Sequence, residues 1–308
     1  MNSSANSFDT LVVLGPTASG KTTLGVELAR ALNGEIVSAD SRQVYRGLDI
    51  GSGKDLAEYT EGPNPIPYHL IDYCDLDHEF SVFEFQKRAY EAISEIQACE
   101  QLPIIVGGTG LYLDALLSAY RMVEVPENPV FRSSLTMMSN TELVTRLTML
   151  KGDLHNTTDT EDRERLIRAI EIESYTQHNP PEPAPELHPF ILGIHWPRPI
   201  LHQRIALRLK DRLDNGMIEE VEGLFKSGVS SERLDSLGLE YRFVAEYLQG
   251  TIKNKNDLLQ KLLPAIKNFA KRQGTWFRRM EKKGVAIHWL EEATLEAALA
   301  TIQQHSTT

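Results

Sequence analysis

Cysteine is nearly missing from this chain: Cys74 and Cys99 are the only two in 308 residues. Two thiols build neither a disulfide framework nor a cysteine zinc site, and such usage fits a reducing compartment. No apolar run approaches the about 18 residues that a membrane-spanning helix needs, so no membrane partner is expected. The opening stretch, Met1 to Asp9, is polar and lacks the basic and apolar regions of an export signal, so cytoplasmic residence is expected. No segment repeats. Positive charge is the minority, with 32 Lys and Arg against 43 Asp and Glu and a formal net charge of −11. Taken alone, that balance argues against a nucleic-acid partner.

What is present changes that reading. Phosphate contacts are local, so the placement of charge matters more than its sum. Between Lys267 and Lys283 lie Lys271, Arg272, Arg278, Arg279 and Lys282 with Glu281 as the single acid, and a second basic run holds Arg198, Arg204, Arg208, Lys210 and Arg212. An acidic protein with two basic stretches can still bind a polyanion with one face. Hydrophobic content of 41% and charged content of 24% are those of an ordinary globular chain, long enough for one large or two smaller domains.

The densest signal lies at residues 11–24. Leu11-Val12-Val13-Leu14 reads as a buried strand, and Leu24, Leu28, Ala31 and Leu32 begin a helix. Between them Gly15-Pro16-Thr17-Ala18-Ser19-Gly20-Lys21-Thr22 fits G-x-x-x-x-G-K-[ST] in the strand–loop–helix setting the motif requires. Such a loop turns successive N–H groups inward at a helix N-terminus, where phosphate is favoured. Lys21 is expected on the terminal phosphate and the Thr22 hydroxyl on Mg²⁺. A glycine-rich turn with a chance lysine is the bland alternative.

The first half alternates strand and helix, the mark of a parallel sheet with crossover helices. Strands are expected at 11–14, 35–38, 104–106, 190–194 and 285–289. Helices are expected at 83–96, 111–117, 201–225 and 258–279, with a short one after Ala293. Residues 47–80, rich in glycine and proline, read as a structured loop. Residues 121–185 show no strand pattern, have helical stretches near 130–150 and 161–175, and end in the stiff run Asn179-Pro180-Pro181-Glu182-Pro183-Ala184-Pro185. The expected class is α/β: a P-loop NTPase-like parallel sheet flanked by helices, formed by 1–120 and 186–308, with 121–185 as an inserted helical subdomain.

A nucleotide hydrolase carries an acid at the end of a second apolar strand to help hold Mg²⁺. Here Ile104-Ile105-Val106 ends in Gly107-Gly108-Thr109-Gly110, and the acid stands after strand two, as Asp40 in Ser38-Ala39-Asp40-Ser41-Arg42-Gln43. Strand ends line the ligand crevice of such sheets, so Asp40 and Thr109 are expected to face the phosphate loop. By position alone Asp40 also suits a turn cap.

These stretches, with Val44-Tyr45-Arg46-Gly47-Leu48-Asp49-Ile50-Gly51, His69-Leu70-Ile71-Asp72, Leu111-Tyr112, Gly238-Leu239-Glu240-Tyr241-Arg242 and Ala270-Lys271-Arg272-Gln273-Gly274-Thr275-Trp276-Phe277-Arg278-Arg279, closely resemble the bacterial tRNA dimethylallyltransferases, in the family's order from about residue 10 to 290. The resemblance implies transfer of a dimethylallyl group from dimethylallyl diphosphate to the N6 amine of the adenine 3′ of the anticodon. The prenyl diphosphate would occupy the loop Gly15–Thr22, with Lys21 and Arg208 on the leaving diphosphate, Mg²⁺ on Thr22, Asp40 as proton acceptor and Thr109 orienting the adenine. For Arg208 the bland alternative is the solvated basic face of a helix.

Carried over position by position, contacts to the anticodon stem-loop fall at Asp40, Ser41, Arg42, Gln43, Thr109, Arg132, Glu164, Arg165, Leu166, Ile167, Arg168, Arg242, Lys271, Arg272, Gln273 and Arg278. Trp276 and Phe277 read either as base-stacking platforms or as core residues. The family's Ile-His-Pro-Asn-Asp-like stretch is replaced by His155-Asn156-Thr157-Thr158-Asp159-Thr160-Glu161-Asp162, and 133–154 is shorter than usual. No Cys/His zinc module follows the basic helix. A monomer is expected. The other readings are an adenylate prenyltransferase, a small-molecule kinase on the same loop and a catalytically idle RNA-binding module.

Overall fold

The computed structural model describes residues 8–61, 64–151 and 162–305. They divide into two compact units: residues up to Ala119 together with those from Glu186 onward, and Tyr120–Pro185.

The larger unit is built on one six-stranded sheet: β1 (Thr10–Leu14), β2 (Gly34–Ala39), β3 (Tyr68–His69), β4 (Leu102–Gly107), β5 (Pro189–Ile194) and β6 (His288–Leu290). Its order is β3-β2-β4-β1-β5-β6 and every pairing is parallel. Helices on both faces explain why β1, β4 and β5 are continuous apolar runs rather than alternating ones. Successive side chains still part to opposite layers. Leu11, Val13, Ile104 and Val106 pack with Leu24, Val26 and Leu28 of α1 (Lys21–Leu32), while Val12, Leu14 and Ile105 pack with Phe85, Ala89 and Ile93 of α3 (Val82–Ala98). Ser81 caps α3 by accepting from Glu84 N at 3.1 Å.

The segment 47–80, expected as loop, also holds α2 (Ala57–Thr60) and β3, both too short to leave a periodic signal. After β4 comes α4 (Gly110–Leu117). Past β5 the expected single helix 201–225 is two: α8 (Arg198–Asp214) and α9 (Met217–Lys226). Gly216 separates them at φ 103°, a left-handed turn that ends the first helix without the steric cost another residue would meet. Then follow α10 (Ser231–Ser236), α11 (Leu239–Leu248) and α12 (Lys255–Lys282). The stripe Leu258, Leu262, Ile266, Ala270, Gln273, Phe277 and Met280 buries one face of α12, leaving Lys271, Arg272, Arg278 and Arg279 exposed. The strand expected at 285–289 sits slightly later, at β6, and α13 (Leu295–His305) follows it. Among the described residues no helix is long and apolar enough to cross a membrane.

The smaller unit packs α5 (Pro129–Leu135), α6 (Asn140–Lys151) and α7 (Arg163–Thr176) around Leu135, Leu143, Leu147, Leu166, Ile167 and Ile170. Asp162 caps α7, accepting from Glu164 N at 3.0 Å and Arg165 N at 3.2 Å. The altered stretch 155–161 lies outside the described residues.

Candidate active site

The phosphate loop leaves β1 at the sheet's centre, between β4 and β5, and is fastened from three directions. Trp196, just past β5, donates Nε1–H to Ser19 O at 2.9 Å. From α8, Arg204 Nε donates to Ala18 O at 2.8 Å, its guanidinium lying 4.9 Å from the Trp196 ring centre. From α12, Gln273 accepts the Thr17 N–H at 2.9 Å and donates to Gly108 O at 2.8 Å. One amide thereby ties the loops after β1 and β4 together. Ala18 stands at φ 61° and Gly20 at φ 95°, left-handed positions that shape the loop.

Lys21 folds back to Pro16 O at 3.5 Å. Burial, reinforced by the Arg208 and Arg212 cations and opposed by Asp40 and Asp55, lowers its amine to about 8. Beside it opens a cavity of ≈ 330 Å³ lined by Ala18–Thr23, Asp55, Glu58, Arg204 and Arg208 among others. Arg208 donates to Asp55 Oδ2 at 2.7 Å, so its head is half-buried in the cavity wall rather than on a solvated helix face. Glu58 accepts from Thr23 Oγ1 at 3.1 Å, its other oxygen is buried without a partner, and burial raises its carboxyl. Hydroxyl and carboxylate oxygens are hard donors that suit Mg²⁺ shared with a phosphate. Among the described residues no group of three His, Cys, Asp or Glu forms a metal cage of its own.

Asp40 follows β2. Its Oδ1 accepts from Arg42 N at 2.9 Å and Gln43 N at 3.3 Å, so it does cap the turn. Thr109 follows β4, and its Oγ1 accepts from Ser41 N at 3.1 Å. Adjacent parallel strands thus bring Asp40, Thr109 and the phosphate loop to one edge of the sheet.

The residues expected at RNA divide. Lys271, Arg272, Arg278, Glu164 and Arg165 are exposed, and Arg242 is half-buried over the Phe243 ring. Gln273 is buried in the bridge just described, and Gln43 is buried too, accepting from Ser38 Oγ and donating to Gly53 O at 2.9 Å. Leu166 and Ile167 belong to the smaller unit's core. Arg132 and Arg168 converge on buried Glu171, at 2.9 and 2.5 Å, which also accepts from Asn128 N at 2.7 Å. Burial opposes that carboxyl's charge, and these hydrogen bonds overcome it, holding it below its ordinary value. Phe277 is fully buried, while Trp276 is half-buried against Gly110.

A family profile described as IPP transferase matches residues 43–280, and one described as Isopentenyl transferase matches 9–73. The tRNA dimethylallyltransferase 1 of Geotalea uraniireducens is 59% identical over 285 residues, 92% of this chain and 93% of the relative. The chain belongs to the tRNA dimethylallyltransferase family. The tRNA dimethylallyltransferase 2 of Treponema denticola is 50% identical over 292 residues, 93% of this chain and 97% of its own. Among solved structures, the tRNA isopentenylpyrophosphate transferase of Bacillus halodurans superposes with TM-score 0.68 at 31% identity, covering 97% of this chain and 95% of that one. A eukaryotic dimethylallyltransferase acting on tRNA shares the fold, at TM-score 0.73 and 23% identity over 98% of this chain and 78% of that one.

Several residues of this candidate site escape a motif search. Asp55, Glu58 and Trp196 carry no pattern. Arg204, Arg208 and Arg212 do: steps of four put them on one helical face, a signal visible in the sequence.

Proposed function

We propose that the protein transfers a dimethylallyl group from dimethylallyl diphosphate to N6 of the adenine 3′ of a tRNA anticodon, releasing diphosphate. The observation that carries this is the placement of Asp40 and Thr109 across the sheet edge from Lys21 and Arg208. The donor's diphosphate lies in Gly15–Thr22. As its allylic C1–O bond breaks, the electron pair goes to diphosphate, where the loop N–H groups, Lys21 and Arg208 meet the growing charge. Thr22, with Asp55 and Glu58, would hold Mg²⁺, whose charge further neutralises the diphosphate. The N6 lone pair forms the new bond to C1, and the N6 proton leaves to Asp40 Oδ2, the oxygen the turn does not use. Thr109 accepts from the Ser41 amide and so turns its hydroxyl hydrogen toward the adenine.

That amine lies inside a stacked loop, so the adenine must leave the stack to react. The exposed cations of α12, with Arg165 of the smaller unit, are assigned to RNA phosphates. The reaction belongs to the cytoplasm, with the protein acting as a monomer. A transfer assay with labelled dimethylallyl diphosphate and Mg²⁺, offering unmodified tRNA or AMP, tests the reading. Label in tRNA is expected; label in AMP alone moves the substrate class, and no label in either removes the reaction.

A further inference from the structure

Helix α8 aims Arg204, Arg208 and Arg212 at the phosphate loop and the turn 49–55. The first two are answered by Ala18 O and Asp55. Arg212 is not. Only 8% of it is exposed, yet its Nη2 is buried with no hydrogen-bond partner. Its Nη1 reaches Gly51 O at 3.3 Å, and the nearest carboxylate, on Glu240, stands 3.9 Å away. Burial lowers the guanidinium's hold on its proton and raises the Glu240 carboxyl, the pattern of two buried charges that offset one another only in part.

Arg212 and Arg208 meet at Gly53. A Cβ there would lie 1.6 Å from Arg212 Nη2 and 2.5 Å from Arg208 Nη2, so both guanidiniums press on one glycine that only a missing side chain can accommodate. The turn does not need Arg212 to hold it. Glu220 accepts the N–H groups of Asp49, Ile50 and Gly51 at 3.0, 2.6 and 3.0 Å, and Lys54 donates to Tyr45 O at 2.8 Å. Gly53 O accepts from Gln43 Nε2 at 2.9 Å and, at 3.5 Å, from Arg208 Nη2.

We infer that Arg212 is a positioning residue of the diphosphate site: from behind the loop its incompletely paired charge drives Arg208 off Asp55 and onto the incoming anion. This rests on the reading that the loop holds a diphosphate. As Arg208 leaves, the lone pair it vacates on Gly53 O accepts Arg212 Nη2–H. The ligand class that gains most is a diphosphate, whose charge answers Lys21, Arg208 and Arg212 together, over a monophosphate.

Binding of inorganic pyrophosphate with Mg²⁺, by titration calorimetry, tests this in wild type, Arg212→Met and Arg212→Lys. Arg212→Met is expected to weaken pyrophosphate about tenfold, raise KM for the prenyl diphosphate alike and leave kcat within about threefold, while Arg212→Lys restores most of the affinity. Should Arg212→Met fail to fold, Arg212→Gln, which keeps a donor without the charge, carries the comparison. Wild-type pyrophosphate affinity and an unchanged KM in a folded Arg212→Met variant overturn the inference. If wild type itself ignores pyrophosphate, the diphosphate reading of the loop fails first.

Discussion

The side-chain oxygen of Gln273 accepts the amide of Thr17, 256 positions earlier, at 2.9 Å, and the same side chain donates to Gly108 O at 2.8 Å. A residue expected at the RNA surface is therefore a strut between the phosphate loop and the strand end that carries Thr109. Gln273→Ala leaves two backbone groups without their partner, which costs about 1–3 kcal/mol. Pyrophosphate affinity is expected to fall about tenfold while tRNA affinity is kept. Filter binding with tRNA beside pyrophosphate calorimetry separates the roles, and the reverse pattern would return Gln273 to the RNA face.

Asp40 spends Oδ1 on the turn, and its other oxygen is the one proposed to take the proton. Asp40→Asn keeps the Oδ1 acceptor for Arg42 N and Gln43 N but removes the base. Turnover should fall about 10²-fold or more with the melting temperature near that of wild type. Asp40→Ala should lose the same turnover and some stability. Single-turnover transfer at saturating tRNA measures it, and a near-normal rate in Asp40→Asn would remove the proton-acceptor role.

The lowered Lys21 amine sets a pH dependence with a definite sign. Below about 8 the free protein holds Lys21 charged, and diphosphate affinity should be full. As pH rises through that value the amine loses its proton, and affinity should drop by up to about tenfold per unit until the bound state also deprotonates. Calorimetry in buffers of different ionisation heat should register proton uptake near the midpoint. A flat profile would mean that Lys21 does not meet the anion as a cation.

Exposed and paired arginines should behave differently. Replacing Lys271, Arg272 or Arg278 by Ala is expected to weaken tRNA binding and to lower the slope of log affinity against log salt by about one each. Arg132→Ala and Arg168→Ala instead uncover buried Glu171. Their expected effect is a loss of about 2–3 kcal/mol in the smaller unit's stability, read by hydrogen exchange, with pyrophosphate binding intact. Because Glu171 sits below its ordinary value, its contribution is present at neutral pH and fades as acid protonates it.

Local chemistry made much of this molecule legible from its sequence. Unbroken apolar runs identified β1, β4 and β5, because strands covered on both faces need no polar alternation. The glycines, lysine and threonine of 15–22, by spacing and by their strand–loop–helix setting, marked a candidate phosphate loop. Asp40 and Thr109 could be placed at the crevice because parallel strands end on the same edge. Short elements such as β3 and α2 are too brief for a period, and the helix 201–225 gave way at one glycine's backbone.

What only the tertiary structure decided was which polar groups already have partners. Arg132, Arg168, Gln43 and Gln273 look in the sequence like Lys271 or Arg278, yet folding sets them against Glu171, Ser38 and the phosphate loop. Arg212 is the converse: one more cation in a basic run, which the fold buries and leaves with Nη2 unpartnered. A hydrogen-bond partner is chosen by positions distant in the chain, and no local pattern records that choice.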